Sequence, residues 1–223
     1  MGKMKGIMFS VIIIVLAGAI IAGIIYHSVL ISTHRERLLV EIRASEMYNL
    51  YKSILRDFDK AIDVIAPRAI SSAISYVVTN GIGLDEADKR LEELIINGTL
   101  YGIEEPLLED TTLPEWIRKV EALSIQRGFV LNISINSYEI KPFDSWNLAF
   151  EANLTINITE KDGVASLIKN VGKLKLIPIT GFEDPIYPLK TLGRAVNVIV
   201  KSPFYKNFTQ TLASGNYGNN HFY

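Results

Sequence analysis

The sequence predicts an α+β chain: a long N-terminal transmembrane helix continuing into an amphipathic helix, then a helical subdomain, then a small antiparallel sheet. Three observations predict it. From Gly6 to Tyr26 there are 21 residues without a charge. Between Arg35 and Asp63 apolar residues recur at helical spacing, and after Gly128 the apolar period falls to two. The boundaries that follow are a basic leader at 1–6, a transmembrane helix at 7–31 and an amphipathic stalk helix at 32–66. A helical subdomain at 67–128, an antiparallel β subdomain at 129–200 and a C-terminal tail at 201–223 complete the chain.

The uncharged run GIMFSVIIIVLAGAIIAGIIY would make a helix of about 30 Å, the thickness of a bilayer's hydrocarbon core. Lys3 and Lys5 form a basic leader, and Ala17-Gly18-Ala19 imitates a small-residue cleavage site. More apolar residues follow that tripeptide, however, and the run outlasts the roughly 7 to 15 residues of a secretory core, so retention as an anchor is expected. The N-terminal flank holds no acid, whereas Arg35, Arg37 and Arg43 beyond the run are mixed with Glu36, Glu41 and Glu46. A leader that resembles a processing signal and a body that looks like a surface protein predict a cytoplasmic N-terminus, with the rest of the chain outside the cell membrane.

Past His34, Leu38, Ile42, Leu50, Ile54, Phe58, Ile62 and Ile65 lie at steps of three, four or eight, among six basic and six acidic residues. No Gly or Pro interrupts Tyr26 to Ala66, which predicts one rod from the bilayer to Pro67, on the order of 90 Å long. Its stripe needs a cover, either the chain's own downstream part or neighbouring copies. Pro67 suits the first turn of a new helix reaching Asn80-Gly81. A further helix spans Asp85 to Ile96 and stops at Asn97-Gly98. After a loop containing Pro106, Thr112 and Glu115 have the spacing of a capping box, opening a helix through Trp116, Ile117, Val120 and Leu123 to Gly128.

In FVLNISINSYEI and LAFEANLTINIT, apolar and polar residues alternate, as in strands with one buried and one wet face. KPFDSWN is expected as the loop between them. Lys161-Asp162-Gly163 should turn into a third strand from Val164 to Ile179, with a bulge or bend at Gly172. AVNVIVKSPFY predicts one further short strand. Asn-x-Ser/Thr triplets occur at Asn97, Asn132, Asn153, Asn157 and Asn207. Glycosylation outside the cell would use them. The alternative is purely architectural, because residues i and i+2 of a strand share a face, so an Asn/Thr-clad strand creates the triplet automatically. Both readings stay open.

Charge and chemistry narrow the function. Twenty-three basic residues against twenty-four acidic ones give no excess suited to nucleic acid, and the absence of Cys removes thiol catalysis and thiolate metal sites. His27, His34 and His221 lack metal-ligand spacing, and GIG at 81–83 lacks the third glycine of a phosphate loop. Glu104-Glu105, Glu109-Asp110 and Glu183-Asp184 are sequence neighbours of the kind solvated in loops. No cofactor, metal, nucleic-acid partner or enzymatic activity is expected. The partners expected are membrane lipid and, through the N-terminal helix, copies of the chain or related subunits.

The leader ending Lys5-Gly6, the run beginning IMFSVIII, the unbroken first helix and the C-terminal sheet together resemble type IV pilin-like proteins, particularly archaeal surface proteins. The resemblance implies cleavage between Gly6 and Ile7 by a membrane peptidase, and bundling of the apolar helices in a filament core. Bacterial-type pilins carry Glu five residues into the mature chain, where this sequence has Val11. GFEDPIYPL, from Gly181 to Leu189, also resembles a segment of archaeal pilin-like exported proteins; its two prolines predict a rigid exit from the last strand. The expected function is therefore that of a membrane-anchored, extracytoplasmic structural or assembly protein. The alternative is a tethered binding module that forms no filament.

Overall fold

The computed structural model describes residues 3–163 and 165–203, and their side chains except those of 3–14 and 32–36. The protein is α+β, with a long apolar N-terminal helix, shorter helices and a small antiparallel sheet. Helix α1 spans Lys3–Asn80, 78 residues. It does not end at Pro67, contrary to the sequence expectation. A proline inside a helix costs about 3 kcal/mol. Beyond it, however, Ala69, Ile70, Ala73 and Val77 continue the buried stripe. Burying side chains of this size contributes about 1 to 3 kcal/mol each, so packing outweighs the break. The helix stops where Gly81, at φ 68°, donates its N–H to the Val77 carbonyl at 3.0 Å.

The apolar set expected along α1 divides into two. Leu50, Ile54, Phe58, Ile62 and Ile65 are buried, with Met47 beside them, whereas Leu38 and Ile42 are 56% and 53% exposed. Position along the helix explains the difference. All residues from Arg37 to Glu46 are exposed, including Val40, which shares the face of Phe58 at about 100° per residue, so α1 enters the core only from Met47 onward. The stretch from Met47 to Ala66, expected as stalk, lies against the rest of the chain and supplies much of the core.

Helix α2 covers Ala87–Asn97 and ends on Gly98, at φ 68°, whose N–H meets the Leu94 carbonyl. A Cβ there would stand 2.9 Å from Thr112 Cγ2, so both conformation and space require glycine. The loop expected next contains a small hairpin, β1 (Thr99–Leu100) and β2 (Ile103–Glu104), and a 3-10 turn at Pro106–Leu108. Helix α3 runs over Leu113–Gln126, with the Thr112 hydroxyl accepting from the Glu115 N–H. Leu123 is 58% exposed, whereas Ser124 is buried, donating to the carbonyls of Glu121 and Phe129.

Strands β3 (Phe129–Asp144), β4 (Asn147–Glu160) and β5 (Ser166–Pro178) form an antiparallel sheet in that order. KPFDSWN is mostly strand: Ser145 and Trp146 alone turn the chain, because the Asp144 carboxylate accepts from the Trp146 N–H at 2.7 Å and from the Asn147 amide. Those bonds, led by the Trp146 amide, hold the Asp144 carboxyl below its usual range. Gly172 forms no bulge. It pairs in register with Asn153, whose Oδ1 would lie 3.2 Å from a Cβ at 172. The register shifts fall instead in β3, between Ile135 and Ser137 and between Pro142 and Asp144. No fourth strand joins this sheet among the described residues; Val198 bridges to Glu183, and Ile199 exchanges backbone bonds with Gly181 and Phe182. Within GFEDPIYPL the chain forms a short helix, α4 (Ile186–Thr191).

One face of the sheet is apolar and carries the helices, α1 over β4 and β5, α2 and α3 over β3. Phe58 is fully buried, edge-on to Trp116 with ring centres 5.6 Å apart and stacked near Phe150. Both sheet edges are tied to helices. The amides of Ile133 and Ile140 on β3 donate to Glu121 and Glu92. On β5, Lys173 and Lys175 point toward the helix layer and pair with Asp59 and Asp63 of α1 at 2.7 and 2.8 Å. Such inward lysines also discourage edge-to-edge pairing with other chains.

Candidate functional site

The first half of α1 has no cover from its own chain where its side chains are described. Across Val15–Ile31, an apolar helical stretch, every side chain is exposed, the large apolar ones from 41% at Leu30 to 69% at Tyr26. Among the described residues, Arg37–Asn80 alone passes as a span by length and hydropathy, Val15–Ile31 being a shorter apolar stretch, but 44% of the apolar window in Arg37–Asn80 is buried inside the protein. Side chains committed to the core cannot face lipid, so Val15–Ile31 is the candidate contact surface. Single exposed apolar residues are ordinary on a protein; an unbroken cylinder of them is an interaction surface.

On this cylinder Gly23 leaves a notch, with open space where its Cβ would be, flanked by Ile20, Ile24, His27, Ser28 and Ile31. Gly18 is five residues away and faces elsewhere. Ala19, four residues before Gly23, shares its face in the small-xxx-small spacing that allows close helix approach. Sequence reading overlooked that pair. The backbone at Gly6 and Ile7, the expected cleavage point, is helical; the side chain of His34 and all of His221 lie outside the described residues.

The sequons are spread over the body. Asn97, Asn132 and Asn153 are exposed and Asn157 is half-buried, while Asn207 lies outside the described residues. Three of them occupy the wet face of the sheet, where Asn132 pairs with Asn157 across β3 and β4. This face is a hydrogen-bonded array. Asn136 donates to Thr155, Thr155 to Asn170, and the Asn153 amide to Ser137, each at 2.8 Å.

Two of the three carboxylate pairs share one cleft, and the third lies apart. Glu104, Glu105, Glu109 and Asp110 rim a shallow cleft beside the 3-10 turn. Elsewhere, Asp184 caps α4 by accepting from the Ile186 amide, and Glu183 bridges to Val198. The densest polar network lies where α2 meets the β1–β2 hairpin. Tyr101 and Gly102 form its two-residue turn at φ 54° and 76°, a geometry that favours Asn-Gly. Tyr101 is held there by its hydroxyl donating to Asp85 and by the Arg90 guanidinium 4.4 Å above its ring. That hydroxyl, more than Arg90, holds the Asp85 carboxyl below its usual range. Burial pushes the Glu93 carboxyl up, but the Gly102 amide, Arg90 and the Thr99 hydroxyl outweigh it and hold the group low. These groups satisfy one another and fix the hairpin.

A last feature was not legible beforehand. Between α1 and α3 runs a groove of about 300 Å³ with Leu50, Ile54, Val120 and Leu123 along its floor and Arg56, Lys60 and Arg127 on its rim. Among the described residues, none of those three cations enters an ion pair. No protein-family model, curated protein or solved structure matches the chain, and its functional reading rests on its own residues.

Proposed function

We propose that this chain is a membrane-anchored, extracytoplasmic structural or assembly protein of pilin-like layout, tethered by residues 7–31 with its body outside the cell. The observation that carries the reading is the continuity of α1. One helix bears an unbroken, exposed apolar surface over Val15–Ile31 and, without a Gly or Pro between Ile24 and Ala66, becomes the central element of the folded core. An apolar cylinder in water is costly at about 25 cal/mol per Å², and lipid or like helices remove that cost. The Asn/Thr array on the opposite side of the body suits a surface bathed in water.

Membrane fractionation of the full-length chain tests the anchor. It should stay in the membrane pellet through a high-pH carbonate wash, and Ile20→Lys with Ile24→Lys should move it to the supernatant while its folded near-ultraviolet signature persists. A wild-type chain that is monodisperse without detergent would refute the anchor. Amino-terminal sequencing from membranes should begin at Ile7, and a start at Met1 would remove the pilin-like processing step. Protease added to intact cells should degrade the region after Arg35.

A further inference from the structure

We propose that the basic groove between α1 and α3 receives the acidic loop 103–110 of a second copy of this chain. The inference rests on the assembly reading and deepens it by naming the contact between bodies. Several cations are neutralised within the fold: Arg43 meets Glu160 at 3.0 Å, Arg90 meets Glu93 at 2.6 Å, Lys141 meets Glu151 at 2.9 Å. Arg56, Lys60 and Arg127 are left around one apolar floor. The only acid lining that groove, Asp57, already accepts the Trp116 indole N–H at 2.9 Å. Leu123, 58% exposed on the floor, explains itself once a partner covers it.

The loop has the complementary composition. Ile103 and Leu107 are 68% and 51% exposed, and Glu104, Glu105, Glu109 and Asp110 beside them enter no ion pair among the described residues. It is also pre-formed. The hairpin network fixes one end, and Arg68 of α1 donates to the Leu107 carbonyl and the Thr111 hydroxyl at the other. Docking therefore orders little chain, which lowers the entropic cost of association. Apolar residues would meet the apolar floor and carboxylates the cationic rim, a complementarity that selects partner and register.

Groove and loop are different patches of one surface, so the contact is head-to-tail and leaves a free groove and a free loop at the ends of any cluster. The groove is centred near residue 55 of α1 and the loop is held at Arg68. Thirteen residues at helical rise displace adjoining copies by about 20 Å along α1. Copies standing level in a flat bilayer would not make this contact; copies shifted along the helix axis would.

The chain contains no cysteine, so introduced thiols report contacts cleanly. Full-length Lys60→Cys and Glu105→Cys chains, mixed in detergent micelles and oxidised, should give a disulfide dimer of the two. Either alone should stay monomeric, and the double variant should give a ladder of multimers. Raising salt from 50 to 500 mM should cut the yield about tenfold, because screening shortens to a few ångströms. In a dithiol-free readout, Lys60→Glu should weaken association in sedimentation about tenfold and Glu105→Lys on the partner should restore it. Homotypic dimers as abundant as mixed ones, no mixed dimer at all, or indifference to charge reversal would overturn the contact. Membrane retention is read separately: lost crosslinks with the chain still in the pellet remove the contact alone, and lost retention with crosslinks intact removes the anchor alone.

Discussion

Replacing Phe58 with Ala, beside a parallel Leu38→Ala variant, measures whether the point at which α1 enters the core has been placed correctly. Both residues belong to one run of apolar positions in the sequence, yet Phe58 has no exposed surface and Leu38 is 56% exposed. Truncating a fully buried phenylalanine costs about 3 to 5 kcal/mol in lost transfer energy and residual cavity. Phe58 belongs at the upper end of that range, about 4 to 5 kcal/mol, because its ring also sits edge-on to Trp116 and near Phe150. Leu38→Ala removes an exposed side chain and improves helix propensity, so its effect should stay within about 0.5 kcal/mol. Urea unfolding of the full-length chain in detergent, followed by tryptophan fluorescence, reads both variants, with Trp116 reporting directly on the ring it touches. A loss below about 1.5 kcal/mol for Phe58→Ala, or one for Leu38→Ala of equal size, would refute the assignment of the buried face.

Other consequences can be checked with the same assay. Gly98→Ala should lower stability by about 2 kcal/mol, from a positive φ and a crowded Cβ, and Gly81→Ala, with equal φ but open space, by about 1 kcal/mol. Thr112→Ala removes the cap of α3 and should cost about 1 kcal/mol. The Glu93 carboxyl is held below its ordinary range, so its contribution is fully present above the unfolded pKa and is lost as pH falls through the lower folded value. Melting curves from pH 7 to pH 3 should therefore fall less steeply at the acid end for Glu93→Gln than for the parent. Lys173→Leu with Lys175→Leu should leave the body folded yet raise light scattering on standing, since β5 loses the inward charges that guard its edge.

Much of the fold could be read where local chemistry decides. Thr112 caps α3 and Gly98 ends α2 because each satisfies backbone groups within a few residues of itself. The alternation in FVLNISI and NLTINIT survives because a strand's two faces depend only on parity. Reading failed where distant atoms decide. Pro67 looks like a boundary until the rest of the core is present to bury Ile70 and Ala73. Ser145-Trp146 lacks the residues of a tight turn, and the Asp144 carboxylate supplies the missing bonds. Tyr101 adopts positive φ only because Asp85 and Arg90 hold it. The same distinction applies to the functional surfaces. An apolar cylinder is visible in composition, whereas an unneutralised groove emerges only after the fold has decided which of the charges find partners.

The manner in which α1 enters the body has a mechanical consequence. A 78-residue helix is about 115 Å long at helical rise, and nearly half of it is clamped in the core with no glycine or proline as a flexible joint between Ile24 and Ala66. Such a lever transmits angle instead of absorbing it: a 10° lean at the apolar end sweeps the distal tip sideways by about 20 Å. Whatever grips the apolar end thereby sets the orientation of the whole head, and force applied to the head arrives undiminished at the grip.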